Sequence, residues 1–366
     1  MRVAVVGKGL IGSAAARHLA KAGVDVTLIG PDEVKGDYAQ HPGSFASHYD
    51  EGRITRKNDR RPFFSRASVA SIARYPEIRD ESGIEFFTEA GALLAGGSKY
   101  VTAVAEARNG LDIRFETLDR EALARRFPFL AIEEGFTGLY EPREAGHISP
   151  RRLVAAQTEA ARRFGATIVP EEVTKVAEGR VATASRTIEA DQVIVAAGGW
   201  TDSLLGREKR LQVYARTVAF HEIGPAEAER LSNMPSIVME SPDDVYILPP
   251  IRYSDGKLWL KLGGDPEDVE LHGLDAINGW FRSGGSAGIG AYLTERICQI
   301  IPGLRFESRF HLPCVTTWSE DRIPEISRLA PGLTVAAAGN GAGAKCSDEL
   351  GRMAAAIALE KTEVFQ

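Results

Sequence analysis

The glycine-rich segment at residues 7–12 (GKGLIG) constrains this chain more than any other feature. It follows the apolar run Val3–Val6, which predicts a strand buried on both faces. The alanine-rich stretch Ser13–Ala22 predicts a helix, and Val24–Ile29 predicts a second strand. A strand, a glycine turn, a helix and a second strand form a βαβ unit, and such units build parallel sheets. The chain therefore begins with an α/β domain.

The spacing G-x-G-x-x-G at this turn suits a phosphate-containing ligand. Gly7 permits a tight turn, Gly9 lets a pyrophosphate approach the backbone, and Gly12 lets the helix lie close to the strand. The helix N-terminus, including Leu10 and Ile11, offers free N–H donors and a partial positive charge to phosphate oxygens. The segment predicts a dinucleotide cofactor, but by itself it does not distinguish NAD from FAD.

The end of the second strand departs from the usual dinucleotide pattern. An acidic residue at this position normally binds the ribose hydroxyls, and here the position is Gly30. Asp32 and Glu33 follow shortly after, and either could bind the ribose, although its side chain begins at a different backbone position. We select Asp32 as the candidate. The departure weakens the ribose prediction and leaves the phosphate prediction intact.

Two further junctions between a strand and a glycine favour FAD over NAD. Gly198 and Gly199 follow the apolar run VIVAA, and a glycine cluster at 339–343 (GNGAG) follows LTVAAA. An extended FAD crosses a parallel sheet and touches several such junctions. The alternative is that each junction is an ordinary βα turn, which would have to hold independently for all three. The candidate contacts at these junctions are Ala197, Gly198, Trp200, Gly339, Asn340, Gly341 and Gly343.

Composition and charge exclude several classes of protein. The chain has 366 residues, 44% hydrophobic and 26% charged, which is typical of a globular protein of about two domains. The formal net charge of −6 makes nucleic acid and anionic membranes poor partners. Three cysteines and the absence of a signal-peptide pattern or a long apolar run predict a cytoplasmic protein. We further expect a monomer without a metal site.

The rest of the chain alternates between irregular and strand-rich parts. Residues 30–58 predict a long loop with one helical turn at most, and loops of this length are usually functional. Arg61–Glu81 predicts a helix, and Phe86–Gly96 predicts an antiparallel strand pair. Strands dominate from Gln212 to Lys261, and Asp348–Leu359 predicts the closing helix. This order fits a parallel-sheet domain interrupted by antiparallel insertions.

We therefore predict a Rossmann-like α/β fold of two domains. One domain binds the flavin on a parallel sheet, and the other contains an antiparallel sheet whose inner face covers the flavin. The predicted flavin-binding segments are 1–85, 143–212 and 312–366. The predicted substrate-domain segments are 86–142 and 213–311.

Four segments resemble one family of flavoenzymes. They are residues 47–56 (SHYDEGRITR), 260–263 (LKLG), 314–317 (CVTT) and 339–345 (GNGAGAK), in the expected order. Together with the glycine segment they make the chain similar, over nearly its whole length, to FAD-dependent amine oxidases of the D-amino-acid-oxidase superfamily. The resemblance is greatest to the branch of monomeric sarcosine oxidase and N-methyltryptophan oxidase, with glycine oxidase as a more distant member. The first segment has one residue more than the family pattern.

The resemblance implies roles for residues of the polar loop. His48 and Arg53 correspond to side chains that lie against the isoalloxazine ring, where a cation stabilises the reduced, anionic ring. Arg56 and Lys345 correspond to the pair that binds the substrate carboxylate, the arginine bidentately and the lysine as a point charge. Neither has an obvious local acidic partner, and two such cations near a flavin favour an anionic ligand.

Strand residues of the predicted substrate domain complete the implied site. Lys261 lies in the apolar run LWLKL and points, by strict alternation, to the face opposite Leu260 and Leu262. The resemblance places Lys261 over the flavin as the cation that speeds electron transfer to oxygen, and a solvent-facing lysine is the alternative. Tyr246 corresponds to a tyrosine near the substrate. The family's histidine four residues after the lysine is Asp265 here, so the polarity of the pocket differs.

The resemblance also implies a covalent flavin bond at Cys314. This residue corresponds to the cysteine that forms a thioether with the flavin 8-methyl group, and it lies 31 residues before Lys345. A buried, small hydrophobic residue is the alternative for any cysteine. Cys346 is a weaker candidate, and Cys298 is expected in the core. Further implied flavin contacts are Ser47 and Val173.

Residues and resemblance together predict FAD-dependent oxidation of a small amino acid at a C–N bond, most simply in a secondary or N-alkyl amine, as in sarcosine and glycine oxidases. Hydride transfer to flavin N5 would give an imine that hydrolyses, and O2 would reoxidise the flavin to give H2O2. A nearby cationic cluster would favour the neutral amine. The alternatives are a dehydrogenase that passes electrons to a quinone or carrier protein, a nicotinamide-linked dehydrogenase, and a non-catalytic flavin-binding module. The sequence does not identify the amino acid.

Overall fold

The computed structural model describes residues 1–240 and 244–360. Its strands are, in chain order, β1 Arg2–Val6, β2 Asp25–Ile29, β3 Arg53–Thr55, β4 Phe87–Thr88, β5 Ala92–Gly96, β6 Glu116–Leu118, β7 Thr137–Glu141, β8 Gly146–Ile148, β9 Thr167–Val169, β10 Val173–Ala177, β11 Arg180–Thr183, β12 Thr187–Glu189, β13 Gln192–Val195, β14 Leu211–Glu222, β15 Ser236–Met239, β16 Val245–Arg252, β17 Leu258–Gly263, β18 Glu270–Leu271, β19 Arg309–Ser319, β20 Glu325–Ala330 and β21 Leu333–Ala337. Its helices are α1 Leu10–Lys21, α2 Pro62–Ala73, α3 Tyr75–Ser82, α4 Ser98–Ala107, α5 Arg120–Arg126, α6 Pro150–Arg163, α7 Thr201–Leu205, α8 Pro225–Arg230, α9 Gly273–Arg282, α10 Ala287–Ile300 and α11 Gly343–Ala358, with 3-10 turns at Tyr38–Gln40 and Gly198–Trp200.

A sheet with the strand order β20-β21-β13-β1-β2-β9 contains the first βαβ unit at its centre. Its pairs are parallel apart from β20 with β21. The run Val3–Val6 is buried, as expected for a strand covered on both faces, and α1 packs against α6 and α11. The predicted α/β fold with a parallel sheet is confirmed.

A second, larger sheet has the strand order β18-β14-β17-β16-β15-β5-β7-β6, and β19 pairs with β14. Its pairs are antiparallel apart from β5 with β15. A hydrophobic core on one face holds it against α10, with Ile247, Leu260 and Leu293 fully buried. The predicted antiparallel sheet is therefore also present. Two small sheets, β10-β11-β12 and β3-β8-β4, complete the topology of the described residues.

The parallel sheet determines where the site lies. Strands β1, β13 and β21 run in the same direction side by side, so their carboxyl ends meet at one edge. The segment at 7–12, Gly198 and the cluster at 339–343 follow these three ends. Three glycine junctions that are far apart in the sequence are therefore neighbours in the fold.

Three local predictions differ from the structure. The predicted strand pair at 86–96 is wrong, because β4 pairs with β8 whereas β5 pairs with β7 and β15 in another sheet. The predicted helix at 61–81 is divided into α2 and α3 at Arg74, since Pro76 in the first turn of α3 has no N–H to continue the helix. The predicted loop at 30–58 contains the short strand β3.

The division into two domains with the boundaries given above stays a prediction. Strands β14 and β19 cross the predicted boundaries at 212 and 312, so the two sheets share continuous strands near the site. In the described part of the chain, none of the helices combines the length and the apolar character needed to cross a membrane.

Candidate active site

One large cavity lies at the edge where the parallel strands end. Its volume is about 1220 Å³, and the loops after β1, β13 and β21 form one side while β14, β16 and β19 contribute to the other. Small-molecule sites usually measure about 300–1,000 Å³, so this cavity has room for an extended dinucleotide together with a small substrate.

The structure brings most of the predicted site residues to this cavity. Gly12, Asp32 and Lys261 do not line it. The predicted residues that do line it are Gly7, Gly9, Leu10, Ile11, Ser47, His48, Arg53, Arg56, Val173, Ala197, Gly198, Trp200, Tyr246, Cys314, Gly339, Asn340, Gly341, Gly343 and Lys345.

The N-terminus of α1 forms a backbone cradle in the cavity wall. Gly9 is the N-cap and no side chain caps the first turn, so its N–H groups are available to a ligand. Gly9, Leu10 and Ile11 line the cavity, and Lys8 adds a positive charge beside them. Gly12 has a packing role, because a Cβ at this position would collide with the carbonyl oxygen of Gly7. This end of the cavity suits a pyrophosphate.

The structure places Asp32, the predicted ribose ligand, outside the cavity wall. The Asp32 side chain is 71% exposed, forms an ion pair with Lys8 and does not line the cavity. Glu33, the other acid considered, pairs with Arg151 at 2.6 Å and does not line the cavity either. The two acids that follow β2 are thus paired with cations outside the cavity wall.

At the other end of the cavity, residues of the polar loop surround a buried carboxylate, Asp50. Arg53 lines the cavity, donates to Asp50 and donates to the backbone oxygen of Ser47 at 2.9 Å. Burial alone would raise the pKa of Asp50, but the charges of Lys261 and Arg53 hold it well below its usual range. Tyr253 donates to the same carboxylate at 2.8 Å. Asp50 therefore holds the cavity-facing guanidinium of Arg53 in place.

Lys261 lies behind this layer rather than in the cavity wall. Its side chain is fully buried, and its ammonium group pairs with Asp50 and donates to the backbone oxygen of Gly52 at 2.9 Å. Burial, and then the nearby charge of Arg53, lower the pKa of Lys261 to about 8. In this structure Lys261 therefore reaches the cavity through Asp50 and Arg53, and its implied position over the flavin stays a prediction.

His48 is neutral in this environment. It lines the cavity beside Gly9, and burial followed by the charges of Arg151, Lys8 and Arg53 lowers its pKa to about 3. His48 can therefore exchange hydrogen bonds with a ligand but carries no charge at neutral pH. The positive charge around His48 comes from Arg151, Lys8 and Arg53.

Arg56 and Lys345 converge as the resemblance implied, but they share an acidic partner. Asp59 lies 3.2 Å from Arg56, 3.1 Å from Lys345 and 3.3 Å from Arg61. Its side chain is almost fully buried, and the three cations outweigh burial and hold its pKa far below the usual range. We call these four residues the arginine cluster. The expectation that the two cations have no acidic partner is wrong, although three cations around one carboxylate still leave an excess of positive charge.

Arg56 and Lys345 differ in how fully their donors are used. Lys345 pairs with Asp59 and donates to Ser68 Oγ at 2.7 Å. Arg56 donates to Asp59 and to the backbone oxygen of Asn58, but its buried Nε has no hydrogen-bond partner among the described residues. Both bonds come from Nη1, and no described residue accepts from Nη2, so Arg56 keeps a donor for a ligand at the cavity wall.

Side chains from the antiparallel sheet line the opposite wall. Cys314 on β19 lines the cavity, and Arg53 lies 3.5 Å from its sulfur atom. Cys346 is fully buried against Ser68 and does not line the cavity. Cys298 is exposed, so its predicted core position is wrong. Cys314 is thus the only cysteine of the described chain that faces the cavity.

Asp265, which stands where the resembled family has a histidine, also lines the cavity. Its two carboxylate oxygens accept from the backbone N–H of Thr217 at 3.3 and 3.1 Å, and no cation of the described residues pairs with it. Burial raises its pKa to about 6, and the nearby charge of Arg216 offsets only part of this rise. Tyr246 lies close enough for the charges of Arg53 and Asp265 to act on its hydroxyl group.

Sequence reasoning missed the two carboxylates that organise the site. Asp50 was visible inside segment 47–56, and Asp59 stands three residues after Arg56, a separation that often forms an ion pair. Trp318, whose ring lies 5.9 Å from the Arg61 guanidinium, gave no signal in the sequence. Asn340 lines the cavity, but its amide is used inside the protein, since it accepts from Ser319 N at 3.0 Å and donates to Ala338 O at 2.8 Å.

A family model for FAD dependent oxidoreductases matches residues 2–357. The chain belongs to this family. The enzyme is thus an FAD-dependent oxidoreductase, and the backbone cradle, the three glycine junctions and the size of the cavity all fit FAD. The first turn of α1 would hold the pyrophosphate, and the loops after β13 and β21 would border the rest of the cofactor.

Solved structures of similar fold include three named enzymes. Amadoriase I (fructosyl amine:oxygen oxidoreductase) from Aspergillus fumigatus has a TM-score of 0.74 and 23% identity, over 99% of this chain and 87% of that one. L-Proline dehydrogenase from P. horikoshii has a TM-score of 0.77 and 18% identity, over 100% and 95%. Glycine oxidase from Geobacillus kaustophilus has a TM-score of 0.74 and 21% identity, over 100% and 96%. At these identities the likeness establishes the fold alone. Comparison with curated proteins gave no match.

Proposed function

We propose that this enzyme oxidises a C–N bond of a small amino acid, in the first instance a secondary or N-alkyl amine, with O2 as electron acceptor. The overall reaction would consume the amino acid, O2 and water and would yield a carbonyl compound, an amine and H2O2. FAD, when bound, supplies the hydride acceptor for this chemistry. The structural neighbours are named as an amine:oxygen oxidoreductase, a glycine oxidase and a proline dehydrogenase, which supports an amine or amino acid as the substrate.

The unused donor of Arg56 carries the proposal that the substrate is a carboxylate. Arg56 lines the cavity and its Nη2 has no hydrogen-bond partner among the described residues, so a bound carboxylate could accept a charge-assisted hydrogen bond from it. The excess positive charge of the arginine cluster acts in the same direction. Lys345 would then stabilise the carboxylate mainly through its charge, because its contacts are already made within the protein.

The unpaired carboxylate of Asp265 supports an amine at the other part of the substrate. A substrate ammonium must lose its proton before its nitrogen lone pair can assist oxidation, and a carboxylate with a pKa near 6 can accept that proton near neutral pH. A cavity with a free cationic donor and a free carboxylate is complementary to an amino acid. We therefore assign carboxylate binding to Arg56 and amine binding to Asp265.

A panel of substrates tests this assignment. The enzyme would be mixed without oxygen with N-methyl, cyclic and D-amino acids, each compared with its decarboxylated amine, and flavin bleaching would be recorded. Arg56→Gln should weaken the acids roughly tenfold or more, because a charge-assisted hydrogen bond contributes about 1.5–3 kcal/mol. The plain amines should change little. Arg60→Gln is the matched control, since Arg60 lines the same cavity but pairs with exposed Asp244 at 2.7 Å.

The same panel separates the alternatives. Equal losses for acids and plain amines would remove the carboxylate role of Arg56. Bleaching without O2 consumption afterwards would indicate a dehydrogenase that uses a quinone or carrier protein. Failure of every amine to bleach the flavin would contradict C–N oxidation and favour a binding module.

We also propose that the flavin is bound covalently through Cys314. It is the cavity-facing cysteine of the described chain, and the Arg53 guanidinium lies 3.5 Å from its sulfur atom. Acid precipitation of the yellow enzyme should leave the colour in the pellet, and Cys314→Ala should release it to the supernatant. Complete release from the unaltered enzyme would contradict the proposal.

A further inference from the structure

The end of β2 leaves no room for the acid that usually binds the adenosine ribose. The residue there is Gly30, and a Cβ on it would come within 2.6 Å of the backbone nitrogen of Lys8. Contact with backbone cannot be relieved by a rotamer change, so any larger residue would displace the phosphate-binding turn. A side chain that binds the ribose would therefore come from another place, and Asp32 and Glu33 pair with Lys8 and Arg151 outside the cavity wall.

The strand beside β2 supplies an acid at the same edge. β9 runs parallel to β2, with Val169 opposite Ile29, and the Gly30 N–H donates to the Val169 oxygen at 3.1 Å. Glu172 follows β9 after a short turn and lines the cavity. The chain thus places a carboxylate on the neighbouring strand end instead of on β2 itself.

The Glu172 carboxylate keeps hydrogen-bond acceptor positions for a ligand. Its carboxylate accepts from Ser44 Oγ at 2.5 Å and from Ser44 N at 3.3 Å, and no described cation forms an ion pair with it. A carboxylate has about four acceptor positions, so about two remain. Ser44 fixes the orientation of the group without neutralising its charge.

The other acids that line the cavity lie elsewhere. Asp59 belongs to the arginine cluster, Asp244 precedes β16, and Asp265 and Asp268 follow β17. Glu172 is therefore the one cavity-lining acid of the described chain that stands at the end of the parallel sheet next to Gly30.

We propose that Glu172 binds the adenosine ribose hydroxyls of FAD in this enzyme. The first turn of α1 would hold the pyrophosphate, and the loops after β13 and β21 would border the part of the cofactor that leads to Cys314. The adenosine is then left for the region between Gly30 and Val173. Two adjacent hydroxyls are donors, and an anionic carboxylate is the acceptor that binds them best.

The test compares FAD with an analogue whose adenosine lacks the ribose 2′-hydroxyl. Binding to apoprotein would be followed by quenching of flavin fluorescence, in a Cys314→Ala background so that either ligand can dissociate. Apoprotein with Glu172 intact should bind FAD roughly tenfold more tightly than the analogue, as expected for loss of one hydrogen bond to a charged group. Glu172→Gln should reduce this preference while leaving the affinity for the analogue little changed.

Asp32→Asn is the matched control, and it should alter neither affinity. A selective loss of FAD binding in Asp32→Asn would return the ribose to Asp32 and overturn the proposal. Equal losses of both ligands in Glu172→Gln would show that Glu172 only holds the loop through Ser44. Equal affinity of FAD and analogue for apoprotein with Glu172 intact would also overturn the proposal, and that comparison needs no variant at position 172.

Discussion

The two ends of the cavity present different kinds of chemical group to a ligand. At the nucleotide end, the groups that face a ligand are backbone N–H groups at the start of α1 and glycine junctions after β1, β13 and β21. At the substrate end they are charged side chains held by two buried carboxylates: Asp50 joins Arg53 to Lys261, and Asp59 joins Arg56 to Lys345.

This difference determines how each end should respond to change. In a backbone cradle the ligand is bound by main-chain N–H groups, so many side-chain substitutions around it should be tolerated. A substitution that adds volume where two elements touch should not be tolerated. A network of buried ions should tolerate changes of shape better than the loss of one charge, because each partner left alone is a buried, unpaired ion. Substitutions at the two ends should therefore fail in different ways.

The largest effect is expected at the nucleotide end. Gly12→Ala would push a methyl group into the Gly7 carbonyl and separate α1 from β1, at a cost of about 1–3 kcal/mol or more. We expect a lower melting temperature of the apoprotein and loss of most bound FAD after purification. Gly9→Ala is the control for the melting temperature alone, since its Cβ would meet nothing closer than His48 Nδ1 at 3.9 Å. Equal melting temperatures for the two variants would contradict a packing role for Gly12.

An intermediate effect is expected from Lys261→Met. Lys261 supports the positive charge at the flavin through Asp50 and Arg53, so we expect reoxidation by O2 to slow by about 100-fold while anaerobic bleaching by substrate is largely kept. Because Arg53 and Tyr253 still contact Asp50, the loss of stability should fall below the roughly 3–5 kcal/mol expected for an orphaned buried charge.

Lys257→Met provides the control for that experiment. Lys257 immediately precedes the same strand, β17, but its side chain is half exposed and pairs with Glu222, so neither half-reaction should change. Collapse of bleaching with normal reoxidation in Lys261→Met would instead assign Lys261 to substrate binding.

The smallest effect is expected in the pH dependence of kcat/KM, which we assign to Asp265. The pKa of this group is about 6, and only its ionised form can accept the ammonium proton. The ionisation of Asp265 should therefore leave kcat/KM constant above pH 6 and lower it about tenfold for each pH unit below pH 6. Asp265→Asn should lower kcat/KM and remove this acid limb. Asp268→Asn, which changes an exposed carboxylate paired with Arg216, should keep it. An unchanged acid limb in Asp265→Asn would exclude this role.

Much of the nucleotide end could be predicted from the sequence. The pattern at 7–12 lies between a strand and a helix that are adjacent in the chain, and the two later glycine junctions follow recognisable apolar strands. The order of residues along the chain was enough to predict these turns, because the backbone geometry of a turn is set by residues that are adjacent in the sequence. Asp32 is the exception: its side chain pairs with Lys8 outside the cavity wall, and the acid at this edge that lines the cavity follows the next strand in space, β9.

Much less of the substrate end could be predicted. The resemblance indicated Arg56, Lys345 and Lys261, but neither it nor the residue pattern showed that Asp59 neutralises part of the first pair or that Asp50 holds Lys261 behind the cavity wall. An ion pair between residues far apart in the chain leaves no periodicity, and which face of a strand looks into the cavity depends on how the sheets pack.

By itself, then, the sequence determined a parallel sheet that begins with a dinucleotide-binding turn, and it indicated which loops carry charge. The tertiary structure decided the partners. Lys261 and Asp50 are 211 residues apart, and Lys345 and Ser68 are 277 apart, yet each pair is in contact. Backbone signals act over a few residues and can be read along the chain, whereas the free energy of a buried charge depends on everything within a few ångströms of it, which only the folded chain defines.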